Sequence, residues 1–198
     1  MSAFLRNPPW IGNPPTLKGK RVYLRVPQLS DWAEWACLRA ASRDFLIPWE
    51  PNWLEDEITK NAYRRRLRRY SRDSRDGLGY AFFIFRNDDD CLLGGITLSN
   101  VRRGVTQSCA VGYWMGQQYA GQGMMQDAIK TSFSFVFDEL GLHRLEAACL
   151  PNNEASTTVL LKTGFQKEGY ARKYLRINGQ WSDHLLFAIL KTDCRDNS

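Results

Sequence analysis

The chain has 198 residues, 43% of them apolar and 24% charged, the size and balance of one well-buried domain and not of a disordered or fibrous chain. No apolar run approaches the roughly 20 residues that cross a bilayer, and no basic start with an apolar core and small-residue cleavage site opens the chain, so a cytoplasmic protein without membrane partners is the expectation. A formal charge of +6 and a pI near 9.2 fit an acidic partner such as a phosphate-rich cofactor or nucleic acid.

Residues 1–20 carry Asn7-Pro8-Pro9-Trp10-Ile11-Gly12-Asn13-Pro14-Pro15 and predict an irregular arm, leaving 21–198 as a single domain. Residues 21–26 alternate as a strand, and Ser30-Asp31 predicts an N-cap for a helix to about Ala41. A loop with Pro48-Trp49-Glu50-Pro51 follows. The segment 56–76 spaces Ile58, Ala62, Leu67 and Tyr70 at helical intervals and crowds in Arg64, Arg65, Arg66, Arg68, Arg69, Arg72 and Arg75. This basic helix is either a surface for rRNA or an acidic polypeptide, or a solvated face relieved by Asp73 and Asp76.

Residues 80–85, 92–98 and 108–115 predict three strands of an antiparallel meander. The third runs into Tyr113-Trp114-Met115-Gly116-Gln117-Gln118-Tyr119-Ala120-Gly121-Gln122-Gly123-Met124-Met125, a glycine turn that opens a long amphipathic helix ending at Gly141. On it Ile129, Phe133, Val136, Phe137 and Leu140 form a core-facing stripe. A helix start exposes unpaired N–H groups and the positive end of its dipole, and glycines let a diphosphate approach that backbone. Residues 145–150 predict a strand parallel to 108–115 through the helical crossover. A short helix over 155–163 and two strands, 165–177 and 184–190, joined through Asn178-Gly179, complete the chain. The sum is an α+β domain with a mixed seven-stranded sheet and helices on both faces.

Five scattered cysteines, Cys37, Cys91, Cys109, Cys149 and Cys194, have neither paired nor metal-ligand spacing and read as reduced thiols. With only His143 and His184, a histidine-rich metal site is excluded and a Cys-His nucleophile pair gains little support.

The order of apolar strand, glycine turn, amphipathic helix, strand, Asn153-Glu154-Ala155-Ser156 and Thr163-Gly164-Phe165-Gln166-Lys167-Glu168-Gly169 resembles the GNAT superfamily of acetyl-CoA-dependent N-acetyltransferases. Phe45-Leu46-Ile47-Pro48-Trp49-Glu50-Pro51, Ser99-Asn100-Val101-Arg102-Arg103-Gly104 and Ile177-Asn178-Gly179-Gln180-Trp181-Ser182-Asp183-His184 resemble its RimJ/RimL group, the ribosomal-protein N-terminal acetyltransferases, and the alanine-specific RimJ branch in particular. The resemblance implies the GNAT fold, acetyl-CoA as cosubstrate and a protein N-terminus as acceptor, with a small amine such as a polyamine or aminoglycoside as the alternative. A third reading is a non-catalytic RNA- or ribosome-associated module that keeps the fold.

Two registers fit the glycine turn. The family's usual spacing matches Gln118-Tyr119-Ala120-Gly121-Gln122-Gly123, whereas the Rim pattern aligns Ala120-Gly121-Gln122-Gly123-Met124-Met125 and keeps the apolar stripe in phase. The second is adopted here. It implies a diphosphate held by amides of Gly121, Gln122, Gly123, Met124, Met125 and Gln126. Tyr113, Trp114 and Met115 would pair with pantetheine as a strand edge, and Asn153 would contact the same arm. By resemblance, a backbone N–H at the end of the strand holding Trp114 and Met115 serves the oxyanion, and Ser156 serves as the acid for the leaving thiolate. The glutamate base of RimL-type enzymes does not transfer, because Leu175 stands at its place; Glu50 is the candidate base and Glu146 the second. Each of these residues also has a plain structural role open to it: Asn153 as a turn residue, Ser156 as a first-turn hydrogen-bonder and Glu50 as an arginine partner.

Overall fold

The computed structural model describes residues 14–194. Its strands are β1 (Leu17–Lys18), β2 (Val22–Arg25), β3 (Tyr80–Arg86), β4 (Leu92–Arg102), β5 (Ser108–Met115), β6 (Arg144–Cys149), β7 (Gln166–Ile177) and β8 (Gln180–Leu190). Its α-helices are α1 (Trp32–Ala41), α2 (Arg43–Leu46), α3 (Lys60–Arg75), α4 (Met124–Ser134) and α5 (Glu154–Lys162). The strands form one sheet in the order β1-β2-β3-β4-β5-β6-β8-β7, in which only the β5–β6 pair is parallel.

The α+β architecture is the expected one, and the strand count is corrected from seven to eight. The additional strand lies in the stretch expected to be irregular. Gly19 N–H donates to Val22 O at 2.8 Å and closes a turn, which lays Leu17 opposite Leu24 and buries it. Residues 1–13 of the expected arm lie outside the described residues.

Two helix starts also differ from expectation. Asp31 precedes α1 but does not cap it with its side chain, because its carboxylate accepts from Arg25 at 2.8 Å and from Gln28 N–H at 2.7 Å. The basic helix begins at Lys60 and not near Asp56, since Thr59 Oγ1 accepts from Ala62 N–H at 3.2 Å and caps it there.

The sheet is covered on both faces, which explains why β3 reads as an unbroken apolar run. Phe82 and Ile84 enter the core under α4 and α5, while Phe83 and Phe85 face the core with Trp35 of α1 and Tyr63 of α3. After Ser134 the α4 helix continues as a π-helical turn, Phe135–Glu139, with Leu140 N–H donating to Phe135 O at 2.8 Å. That turn buries the three consecutive residues Phe135, Val136 and Phe137.

The crossover from β5 through α4 to β6 positions the site. Parallel pairing runs over Ser108↔Arg144, Cys109↔Leu145 and Ala110↔Glu146. Beyond it β5 stays with β4 as far as Gly94↔Met115, and β6 stays with β8 as far as Cys149↔Leu185. Among the described residues the two strands therefore part and leave a wedge between their edges. Helices α4 and α5 begin from its mouth.

Candidate active site

Gly121 and Gly123 have φ of +76° and +77°, the left-handed region that favours glycine. A Cβ on Gly121 would meet nothing within 4 Å, so its backbone conformation, not lack of space, asks for glycine. Helix α4 starts at Met124 directly after Gly123, so the N–H groups of Met124, Met125 and Gln126 lie in a first turn without intrahelical acceptors. Met125 is buried in the core and Met124 packs against it, which keeps both side chains away from those donors. Gln118 lies in the preceding 3-10 turn, where its backbone O accepts from Gln122 Nε2 at 2.9 Å. Arg21 comes up beneath the turn: Nε donates to Asp127 Oδ2 at 2.5 Å, one terminal nitrogen donates to Gln122 O at 3.2 Å, and the other lies 2.9 Å from where a Gly123 Cβ would be.

Inside the wedge, Gly116 N–H donates to Leu93 O on the β4 side at 2.8 Å. Strand alternation then turns the Met115 N–H to the opposite edge, into the wedge. The Tyr113 hydroxyl reaches across to α5, 2.8 Å from Ser156 Oγ and 3.4 Å from Ser156 O. Asn153 caps α5, its Oδ1 accepting from Ser156 N–H at 2.9 Å, which leaves Nδ2 to donate elsewhere. Burial pushes the Tyr113 phenol above its ordinary range, against a smaller opposing effect from Ser156, so the hydroxyl stays protonated. Open strand edges, a left-handed glycine turn and a bare helix start fit a ligand with an amide-bearing arm and a diphosphate.

Trp114 points to the other face of β5. Its indole lies across Gly95, where a Cβ would come within 2.6 Å of Nε1. Arg39 stands beside it, with Cζ 4.9 Å from the Trp114 ring centroid and 4.2 Å from that of Trp53. Buried Arg39 grips Glu50 at 2.7 and 2.6 Å, and Trp53 Nε1 adds a third bond to Glu50 Oε2 at 2.8 Å. The backbone O of Glu50 accepts from Asn178 N–H at 2.9 Å, tying this loop to the tip of the β7–β8 hairpin. Glu50 thus sits on the Trp114 side of β5 with both carboxylate oxygens committed. Glu146 accepts from Arg144 Nε at 2.8 Å, and the same guanidinium binds Glu168.

The floor on this face is made of small residues. Thr97 pairs with Gly112 and Ser99 with Ala110, and a Cβ on Gly112 would meet nothing within 4 Å. A cleft of about 350 Å³ adjoins it, lined by Arg69, Tyr70, Asp73, Thr97, Ser99 and Asn100 among others. The basic helix is partly spent on internal pairs: Arg65 with Asp56, Arg66 with Glu57, and Arg72 with Asp73 at 3.8 Å. No helix among the described residues is long and apolar enough to cross a membrane.

The structure brings Tyr113, Met115, Asn153 and Ser156 together at the wedge, puts the 121–126 backbone at its mouth, and places Trp114 and Glu50 behind β5. Sequence reading missed the side-chain roles of Arg39, Arg21 and the Tyr113 hydroxyl. Arg39 had a signal, as a charge one helical turn on from Trp35 and next to Leu38 on the apolar face of one helix; Arg21 and the Tyr113 hydroxyl had none.

Parted parallel strands fed by a glycine turn and helix start are what an acyl-CoA-dependent acyltransferase needs to hold its cosubstrate. Residues 21–166 match the family model described as an acetyltransferase (GNAT) domain. The chain is 38% identical to "Probable N-acetyltransferase YjcK" of Bacillus subtilis over 89% of this chain and 98% of that protein. It is 34% identical to the ribosomal protein uS5-alanine N-acetyltransferase of Escherichia coli, over 87% of this chain and 89% of that one. The solved structure of Mycobacterium smegmatis RimJ in complex with CoA-disulfide superposes with a TM-score of 0.86 at 31% identity, covering 91% of this chain and 89% of that one. The chain belongs to the GNAT acetyltransferases, within the RimJ/RimL group, and is an acetyl-CoA-dependent N-acetyltransferase.

Proposed function

We propose that this enzyme acetylates the N-terminal α-amine of a polypeptide, with a ribosomal protein as the first candidate acceptor. The observation that carries this reading is the open floor beside Trp114. Gly112, Ala110, Thr97 and Ser99 leave room for extended backbone, and the adjoining cleft has both a cation and an anion, Arg69 and Asp73, on its wall. A closed acidic pocket would suit a polyamine better. The E. coli relative, named as a ribosomal protein uS5-alanine N-acetyltransferase, supports the same choice.

Acetyl-CoA supplies the thioester that the amine attacks. Gly121, Gln122, Gly123, Met124, Met125 and Gln126 would offer backbone N–H groups to its diphosphate. Tyr113 and Met115, on the open β5 edge, and Asn153 Nδ2 would hold the pantetheine arm. Met115 N–H, turned into the wedge, would face the carbonyl oxygen where negative charge grows, and one such donor typically contributes about 3 kcal/mol. Ser156 Oγ, in the first turn of α5, would protonate the departing thiolate. An α-amine with a pKa of about 7.7–8.0 is neutral in roughly one molecule in seven at pH 7, so water suffices to take its proton. Glu50, the candidate base, would then act through its Arg39 pair to hold the acceptor wall, and Glu146 is similarly held by Arg144. The basic face of α3 would meet the acceptor's own surface or rRNA around it.

Intact-mass screening of N-terminal peptides and small amines with acetyl-CoA tests the reading. A peptide N-terminus is expected to gain one acetyl group. Turnover of a small amine far above that of any peptide would overturn the acceptor class, and no acetylation of any amine alongside RNA binding would favour the non-catalytic module.

A further inference from the structure

The Tyr113–Ser156 hydrogen bond spans the wedge between residues 43 positions apart in sequence, and its direction follows from counting donors. The phenol has one proton and two acceptors in range, Ser156 Oγ at 2.8 Å and Ser156 O at 3.4 Å. The nearer is the better bond, and Ser156 O already faces the α5 ladder. A phenol donating to Ser156 Oγ fills a lone pair of the serine and leaves its single proton to point elsewhere. The serine backbone is fixed as well, since its N–H is held by Asn153 Oδ1 at 2.9 Å. Asn153, Ser156 and Tyr113 thus form one chain from the α5 cap to the edge of β5.

We propose that Tyr113 is a positioning residue: its buried hydroxyl donates to Ser156 Oγ and thereby aims the serine proton into the wedge, at the sulfur that leaves as acetyl transfer completes. The proposal rests on Ser156 as the acid in the reading above. Tyr113 keeps its own proton throughout. The bond broken is the carbonyl carbon–sulfur bond, whose electron pair goes to sulfur; the serine proton moves to that sulfur, and the serine is reprotonated by water carrying the proton the amine lost. The N-terminus of α5 adds its dipole at the same place and also favours a thiolate there.

The test follows the thiol of bound CoA, through the ultraviolet absorbance of its thiolate, as a function of pH. Each trace is a difference from the same variant without CoA, so the protein's own cysteines and tyrosines cancel. An aimed serine proton stabilises the thiolate and makes the bound thiol more acidic than free CoA. Ser156→Ala and Tyr113→Phe are each expected to lower its acid dissociation constant about tenfold, the worth of one hydrogen bond to a charged group. Tyr113→Phe, Ser156→Ala is expected to lower it no further than Ser156→Ala does. CoA affinity by calorimetry, at a pH where the thiol is neutral, should change less than about twofold. In turnover, Tyr113→Phe should lower kcat about tenfold with KM for acetyl-CoA in place. If Tyr113→Phe leaves the bound thiol as in wild type while Ser156→Ala shifts it, the positioning role is overturned and Ser156 stands. If neither variant moves the thiol, Ser156 is not the acid and the proposal falls with it. A loss of CoA affinity matching the loss of kcat in Tyr113→Phe would make Tyr113 a strut of the wedge and would also overturn the proposal.

Discussion

The two faces of β5 are built in different ways. On the Tyr113 face, the proposed cofactor side draws its parts from two short segments, 113–126 and 153–156, and much of it is backbone: amides of a helix start, two left-handed glycines and an open strand edge. On the Trp114 face, the proposed acceptor side is assembled from side chains far apart in sequence: Arg39, Glu50, Trp53, Thr97, Trp114 and the tip of the β7–β8 hairpin. A backbone site tolerates side-chain change, because the donors belong to every residue. A side-chain site changes its acceptor with each replacement. In that reading the shared strand would let one cosubstrate be kept while the acceptor face varied.

The sharpest way to break this division is Gly123→Glu. It forces a branched backbone position at φ +77° and brings a carboxylate to an anion site, with Arg21 only 2.9 Å from the new Cβ. Calorimetry should show acetyl-CoA affinity reduced more than 100-fold, on the order of 3 kcal/mol. Circular dichroism should show the fold retained. Unchanged affinity would remove the 121–126 amides from the cofactor site.

Arg39→Ala attacks the other face. Arg39 has a side chain 6% exposed and Glu50 one 21% exposed, so removing the guanidinium strands a largely buried carboxylate with Trp53 Nε1 as its one remaining side-chain donor among those described. Breaking such a pair costs about 3 kcal/mol, read as a lowered midpoint in urea. CoA affinity should stay within about twofold, as additivity for separated sites requires. Loss of CoA binding in step with stability would show that the faces are not independent.

These two substitutions also show what could be read from the chain. The glycine turn, α4 and the crossover were legible because adjacent residues make them, and a helix start is written in a few consecutive positions. Gly123 and Met124 therefore fall at the turn and first helical residue in the register chosen from the apolar stripe. The strand at Leu17 was not legible, because a two-residue strand has no periodicity and proline-rich neighbours masked it; only its pairing with Leu24 defines it. Glu50 was legible as a carboxylate in the Pro48-Trp49-Glu50-Pro51 loop but not as one gripped twice by Arg39. That depends on a helix packing against a loop 11 residues away, which no local pattern records.

A smaller effect sharpens the cofactor face. Asp127 lies in the first turn of α4, where a carboxylate suits the helix dipole but repels a diphosphate; Arg21 neutralises it at 2.5 Å. Arg21→Gln should weaken CoA about fivefold at low salt and less at high salt, while adding Asp127→Asn should restore it. If the double substitution binds no better than Arg21→Gln alone, the arginine acts on something other than the Asp127 charge.

Glu50→Gln separates base from strut. As a strut it should leave the pH–rate profile where it is and cost about 1 kcal/mol in denaturation. A displaced acidic limb would return Glu50 to the role of base.

The smallest effect belongs to the rim of the acceptor face, where Arg144 of β6 binds Glu168 of β7 as well as Glu146. The Arg144 hydrogen bond holds the Glu168 carboxyl below the ordinary glutamate range, against a smaller opposing effect of burial. A lowered folded-state pKa means that the unfolded chain takes up the proton first as pH falls. The stabilisation is therefore complete above the ordinary glutamate pKa of about 4.3, and it disappears as pH drops through the lowered value. Glu168 has a side chain 44% exposed, so solvent screening limits the gain to about 0.5 kcal/mol. Urea denaturation of wild type and Glu168→Gln should differ by that amount at pH 7 and converge once the pH has fallen through the lowered value. A gap that widened toward low pH would reverse the sign and dissociate Glu168 from Arg144. Because this pair joins β6 to β7 without touching the wedge, the same substitution should leave CoA affinity unmoved, in contrast to Gly123→Glu.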